Sequence, residues 1–383
     1  MKQVTIVGCG VVGAMIAYEL SHLPELKITV LDRQPPAQDS TGAALGVLMG
    51  IISQKTKGKA WNLRQASIQR YATLIPELAA AIGRSLPWNT QGILKLCFDS
   101  AELPRWHQLA TLRQQQGWTL EVWSIDQVAQ RCPQVRCDGG SAHRLVGAIY
   151  SPQDYQIDPT ALTLALVQAA QARGVTFRFD APVERLLPAV SAEAAHAHSQ
   201  ACQQLQTATE VLASDWVVIA AGLGSTPLTQ SASPPVALQP VLGQALKIHC
   251  PALDQSSFQP VITGNDIHLV PIGHSEYWIG ATVEFPPDPA GIAPNHFLQP
   301  EAARLESLWQ GAIEIWPALI KATVLKSWSG LRPRPVNRPA PIIEFLPGYT
   351  NVCVATGHYR NGVLLAPATA QLVRSMLQTA WGG

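Results

Sequence analysis

The stretch "QVTIVGCGVVGAMIAYELSHLPELKITVLDR", residues Gln3 to Arg33, changes period twice. Val4 to Val7 reads as a strand, Val11 to Leu20 as an apolar helix, and Ile28 to Leu31 as a second strand. A strand–helix–strand unit of this kind crosses over right-handed and builds a parallel sheet. The turn between strand and helix holds Gly8, Gly10 and Gly13 as G-x-G-x-x-G. The first glycine permits the tight turn, the second lets backbone approach a pyrophosphate, and the third lets the helix pack close on the strand. The helix start at Val11 and Val12 offers N–H groups and the positive end of its dipole to an anion. Asp32, about 20 residues on at the end of the second strand, is suited to accept hydrogen bonds from a ribose diol. These residues point to a dinucleotide with an unphosphorylated ribose, FAD or NAD rather than NADP.

The whole chain is consistent with such an enzyme. Its 383 residues, 47% hydrophobic, suffice for two cores. Charged residues make up 14% and the net charge is +1 with no basic run, so a nucleic-acid partner is disfavoured. No apolar run reaches the roughly 18 residues of a membrane span. A strand from the third residue leaves no room for a secretion signal, which predicts a cytoplasmic protein. Seven scattered cysteines, an odd number without C-x-x-C, predict free thiols. Cys132 and Cys137, and His196 and His198, are the only pairs that invite a metal, and neither has a second ligand pair at zinc spacing. No metal is expected.

Further along, "STGAALGVLMG" (Ser40–Gly50) reads as a small-residue helix start, Asn62 to Ile82 as a helix, and "QGILKLCF" as a strand. Asp158 or Thr160 is placed to cap a helix with Pro159 in its first turn, and Gly174 ends it before the strand "VTFRF". "DWVVIAAGLGS" reads as a buried strand ending in Gly222 and Gly224. "ALKIHC", "DIHLVPI" and "EYWIGATVEF" alternate like an antiparallel sheet, and a helix follows from about Pro300 to Leu319. The expected fold is mixed α/β: a Rossmann-like cofactor domain from residues 1–82, 145–235 and 325–383, and a substrate domain with a large, mainly antiparallel sheet from 83–144 and 236–324. Because nucleotide-type elements return this late, the cofactor must reach all of them, which favours FAD over NAD.

On these motifs the chain resembles the D-amino-acid oxidase superfamily of flavoproteins, and within it the glycine oxidases. The resemblance runs through "STGAALGVL", "VVIAAGLGS", "PVLGQAL", "HLVPIG", "WSGLRPRP" and "GHYRNGVLLAPATA". It implies that Ser40, Thr41, Ala43, Ala44, Gly46, Val47 and Leu48 lie beside the pyrophosphate and flavin, with Arg33 next to Asp32. It implies that Val183, Ala221 and Gly222 line the adenosine half. His358, Asn361, Gly362, Val363 and Leu364 would face the flavin pyrimidine, with helix-start N–H groups opposite its N1–C2=O edge.

At the substrate end, Arg332 matches the arginine that clamps a carboxylate, for which a planar guanidinium is suited. Arg360 matches a second active-site arginine. His268 stands where the glycine oxidase pattern has a tyrosine, which would add pH dependence near neutrality and leaves the substrate's identity open. The region after the arginine motif has no cysteine, so FAD is expected to be noncovalent. The resemblance implies oxidative deamination of glycine or another small amino acid or amine, with O2 reduced to H2O2. In the family this reaction supplies dehydroglycine for the thiazole of thiamine. Sarcosine, D-amino-acid or proline oxidation, a dehydrogenase with another acceptor, and a homo-oligomer all stay open.

Overall fold

The structure, a computed structural model, describes residues 1–138, 144–188, 201–251, 258–286 and 299–381. His196 and His198, and most of the expected surface insertion from Ser191 to Cys202, lie outside the described residues.

The first sheet has six strands in the order Ile342–Phe345, Val352–Thr356, Trp216–Ile219, Lys2–Val7, Leu26–Leu31 and Thr176–Arg178. Every neighbouring pair is parallel except the antiparallel edge formed by Ile342–Phe345. The N-terminal strand is central, which explains why Val4, Ile6 and Val7 are all buried. Helix Val11–Leu20 is buried on almost every side, because Pro159–Ala172 and Gly362–Trp381 pack against it. This parallel arrangement aims the ends of Lys2–Val7, Trp216–Ile219 and Val352–Thr356 at one crevice, where ligands bind in open α/β sheets.

The second sheet has eight strands: Thr323–Pro335, Leu238–His249, Glu276–Gly280, Ile267–Gly273, Val261–Gly264, Ile93–Cys97, Gly147–Ser151 and Glu121–Trp123. Only Val261–Gly264 with Ile93–Cys97 is a parallel pair. The two longest strands pair from Leu238 opposite Pro335 to His249 opposite Thr323, and this register sets Arg332 across from Val241. Gly147–Ser151 and the strand that starts at Thr323 hydrogen-bond into this sheet, although the sequence segments assign them to the cofactor half.

Three details refine the sequence reading. Asp158, not Thr160, caps its helix, accepting from the N–H groups of Thr160 and Ala161. Val183–Pro188 sits outside the parallel sheet, antiparallel to Cys202–Thr207. The small-residue segment is only briefly helical, at Asp39–Gly42, and then forms the strand Val47–Leu48 against Tyr155–Gln156. Just beyond it, the buried Asp154 carboxylate accepts from the N–H groups of Gly50, Ile51 and Ile52, each at 2.8 Å. Arg113 donates to the carbonyls of Ile51, Ser53 and Lys55 and stacks on Trp61. Those bonds satisfy the buried backbone groups at Ile51 and Ile52 and hold the loop that runs from them out to the exposed Lys55.

Candidate active site

A cavity of about 540 Å³ runs along the crevice between the two sheets. Its cofactor end begins at the glycine turn. Gly8 has φ +106°, and a Cβ there would lie 2.6 Å from the Ala220 carbonyl oxygen. A Cβ on Gly13 would strike the Gly8 carbonyl, so the third glycine is needed for close packing. Thr41 Oγ1 accepts from the Val11 N–H at 3.0 Å, and Ser40 Oγ donates to the Leu331 carbonyl at 2.6 Å. The small-residue segment is thereby tied to the turn on one side and to the arginine strand on the other. Asp32 accepts from the N–H groups of Cys9 and Gln34. Burial raises its pKa against the lowering effect of those bonds, and a carboxylate with about four acceptor sites keeps capacity for a ribose hydroxyl. Arg33 pairs with Asp39 at 2.6 Å.

At the other end stand Arg332, Arg360 and His268. Arg332 Nη1 donates to the carbonyls of Leu242 and Thr282, both at 3.0 Å. Its guanidinium lies over Gly243, where a Cβ would collide with it. Burial, then the charge of Arg360, depresses its pKa. Among the described residues no carboxylate pairs with it, whereas Arg360, nearer solvent, meets Asp266 at 3.3 Å. His268 has a buried Nδ1 without a hydrogen-bond partner among the described residues. Burial, then Arg360, pushes its pKa down to about 4. The ring is therefore neutral near pH 7, and the titration that its sequence position suggests moves into the acid range.

His358 is buried behind the strand end, and its Nε2 shares a 2.9 Å hydrogen bond with Thr369 Oγ1 in the C-terminal helix. Desolvation pushes its pKa down to about 4. A histidine depressed in the folded state stabilises the protein fully above its unfolded value, about 6.5. That stability is lost as pH falls through the folded value. From about 6.5 to about 4, at 1.36 kcal/mol per pH unit, the linked loss is of order 3 kcal/mol. Urea denaturation at pH 7, 5.5 and 4.5 should show wild-type stability falling more steeply than that of His358→Gln. Parallel curves would contradict this assignment.

Of the residues singled out from sequence, Gly13, Leu48 and Asn361 do not line the cavity and the others do. Gly13 packs behind the turn, Leu48 is fully buried, and the Asn361 N–H donates to the His358 carbonyl. The expected charge-stabilising N–H groups reduce to those of Gly362, Val363 and Leu364, at the start of helix Gly362–Trp381. Sequence reasoning missed Gly243, Ala281, Ser329 and Gly330, which line the arginine end. A Cβ on Gly330 would strike Ala43, so its signal was present as the glycine of "WSGLRP".

A Rossmann-like turn feeding a long cavity that also takes in the C-terminal strand end is the setting of an enzyme that binds an extended dinucleotide. The chain belongs to the DAO family of FAD dependent oxidoreductases, whose family model matches residues 3–376, and its cofactor is FAD. It is 30% identical over 379 residues to the bifunctional protein ThiO/ThiG of Synechocystis sp., covering 98% of this chain and 51% of that protein. The chain thus spans about half the length of such bifunctional relatives. It is 28% identical to glycine oxidase of Pseudomonas putida, over 99% of this chain and 95% of that one. The crystal structure of glycine oxidase from Bacillus cereus superposes with a TM-score of 0.83 at 23% identity, covering 99% of this chain and 95% of that one. No helix among the described residues is long and apolar enough to cross a membrane, and no group of three or more His, Cys, Asp and Glu side chains there could hold a metal ion. All seven cysteines are free.

The cavity suits FAD on its own geometry. Gly10 leaves a cradle bounded by Thr41 Oγ1, 3.0 Å from where a Cβ would sit. The helix start would hold the pyrophosphate through its dipole and the Val12 N–H, since the Val11 N–H is taken by Thr41 Oγ1; Asp32 would hold the ribose, and Ala43 to Val47 with Gly362 to Leu364 the flavin end.

Proposed function

We propose that the chain is an oxidase that deaminates a small amino acid, with Arg332 as the anchor of its carboxylate. The observation that carries this is a buried guanidinium with no acidic partner among the described residues, inside the cofactor's cavity. A buried charge without a counter-ion costs several kcal/mol, and an anionic substrate offsets that cost. Similarity to glycine oxidases over nearly their full length supports a small amino acid. Bound FAD supplies the two-electron acceptor. Arg332 fixes the carboxylate by charge and by its remaining N–H donors, and Arg360 at the mouth adds a second positive charge. Neutral His268 offers its unpartnered Nδ1 to a polar group of the substrate. Orientation of the substrate α-carbon then accounts for much of the catalysis.

Overall, amino acid, O2 and water give 2-oxo acid, ammonia and H2O2. FAD is held noncovalently, and supply of the imine to thiamine thiazole synthesis is the downstream role of this reading. Peroxide release and anaerobic flavin bleaching should be measured across glycine, sarcosine, D-alanine, D-proline and larger D-amino acids. At least one small member should give both signals. Absence of bleaching by the whole panel would refute the reading. Bleaching without peroxide, but with dye reduction, would indicate a dehydrogenase.

A further inference from the structure

Arg332 is oriented by two carbonyls from segments that are far apart in sequence. Leu242 lies in the strand Leu238–His249, and Thr282 lies just after the strand Glu276–Gly280. The stretch around Thr282 is laid onto that long strand by a short antiparallel ladder. The Leu242 N–H donates to the Glu284 carbonyl at 2.9 Å, the Glu284 N–H to the Leu242 carbonyl at 3.0 Å, and the Thr282 N–H to the Gln244 carbonyl at 3.2 Å. A carbonyl oxygen has two lone pairs, so Leu242 can serve both Glu284 and Arg332.

The side chains of the same residues lock this ladder. Gln244 is buried, and both ends of its amide are used: Nε2 donates to Glu284 Oε1 at 2.8 Å, and Oε1 accepts from the Glu301 N–H at 2.6 Å. The Gln244 backbone N–H donates to Thr282 Oγ1 at 2.9 Å, and that hydroxyl donates to Glu284 Oε1 at 2.5 Å. Glu284 Oε2 faces Arg304 at 3.8 Å. Glu284 is close enough to favour the charge on Arg332, yet makes no ion pair with it among the described residues. A network satisfied in this way specifies one arrangement, and a partly broken one loses it.

We propose that Gln244, Thr282 and Glu284 are positioning residues for Arg332: they hold the two carbonyls that aim its guanidinium across Gly243, and they hold the Glu284 carboxylate away from it so that the substrate's carboxylate is its partner. This rests on the reading of Arg332 as the anchor. If the network only fastened residues 282–284 to the sheet, its loss would lower stability without touching carboxylate recognition.

The test uses the FAD-loaded enzyme and acetate as a simple carboxylate probe. Acetate Kd is read from the perturbation of the flavin spectrum, alongside KM, kcat, flavin content and Tm. Thr282→Val and Glu284→Ala are expected to raise acetate Kd and KM about tenfold each, the scale of one charge-assisted hydrogen bond, with kcat changed less than about twofold. Glu284→Gln keeps an acceptor oxygen and should return both to within about twofold. Gly243→Ala leaves the network alone but displaces the guanidinium, and should match or exceed the loss at unchanged flavin content. Acetate Kd unchanged in Thr282→Val and Glu284→Ala, but weakened in Arg332→Ala, overturns the positioning set alone. Acetate Kd unchanged in Arg332→Ala overturns the anchor and the set together. Should Glu284→Ala not fold, Thr282→Val and Gly243→Ala decide by the same criteria.

Discussion

Arg332→Met is expected to lower kcat/KM for the amino-acid substrate by about 10²- to 10⁴-fold while flavin content stays unchanged and Tm stays level or rises. The activity loss follows from removing one partner of a buried charge pair, which costs about 3–5 kcal/mol. It should appear chiefly in KM, because the carboxylate is bound in ground and transition states alike. The stability outcome has the opposite sign to most core substitutions. In the substrate-free protein Arg332 is a buried cation whose hydrogen bonds among the described residues are to two carbonyls, and replacing such a charge by an apolar side chain of similar volume is often neutral or stabilising. The Leu242 carbonyl keeps the Glu284 N–H as a donor, so the sheet is not left with that acceptor unsatisfied. Arg332→Lys should recover part of the loss, since a compact ammonium keeps the charge but not the two-pronged geometry. Steady-state kinetics, flavin absorbance and a thermal melt on the three proteins check this. A KM for Arg332→Met within about threefold of wild type would remove Arg332 from the site.

What could be read in the sequence divides by physical cause. Helix Val11–Leu20 was legible because a glycine turn and a fully apolar run are local signals, and the structure gives it those bounds. The involvement of both chain ends was legible because the late motif "GHYRNGVLL" repeats the turn-then-helix pattern after a strand. Arg332 was legible from its motif, but its seat was not. Gly243 lies opposite Gly330 on the neighbouring strand, and nothing in "PVLGQAL" states that an arginine will lie over that glycine. Strand register is a long-range property, and a one-residue slip reverses every side chain. The state of His268 was likewise hidden. Its type suggests titration near neutrality, but the pKa near 4 follows from burial and from Arg360, 92 positions away in the chain (360 − 268) and brought near only by the fold.

Gly8→Ala is expected to yield protein that no longer retains FAD, with a loss of affinity of at least about 10²-fold. Two costs combine at this residue. A φ of +106° is outside the regions L-residues adopt, and holding a side chain there costs about 1–3 kcal/mol. In addition, the new Cβ would meet the Ala220 carbonyl oxygen at 2.6 Å and its carbon at 2.8 Å, and overpacking costs about another 1–3 kcal/mol. The contact atoms are backbone and cannot rotate away. Ala220 is itself fixed, its N–H donating to the Val7 carbonyl at 2.8 Å. Relief must therefore come from separating the ends of the neighbouring strands Lys2–Val7 and Trp216–Ile219, both of which end at the crevice. Gly174→Ala is the matched control. Its φ is +91°, but a Cβ there meets nothing within 4 Å, and it lies after helix Pro159–Ala172, away from the cavity. It bears the backbone cost without the collision, so it should lose about 1–3 kcal/mol of stability and keep its flavin. Flavin-to-protein absorbance ratios after gel filtration, with FAD titration of the stripped proteins, compare the two directly. Wild-type FAD affinity in Gly8→Ala would mean that this turn does not hold the pyrophosphate.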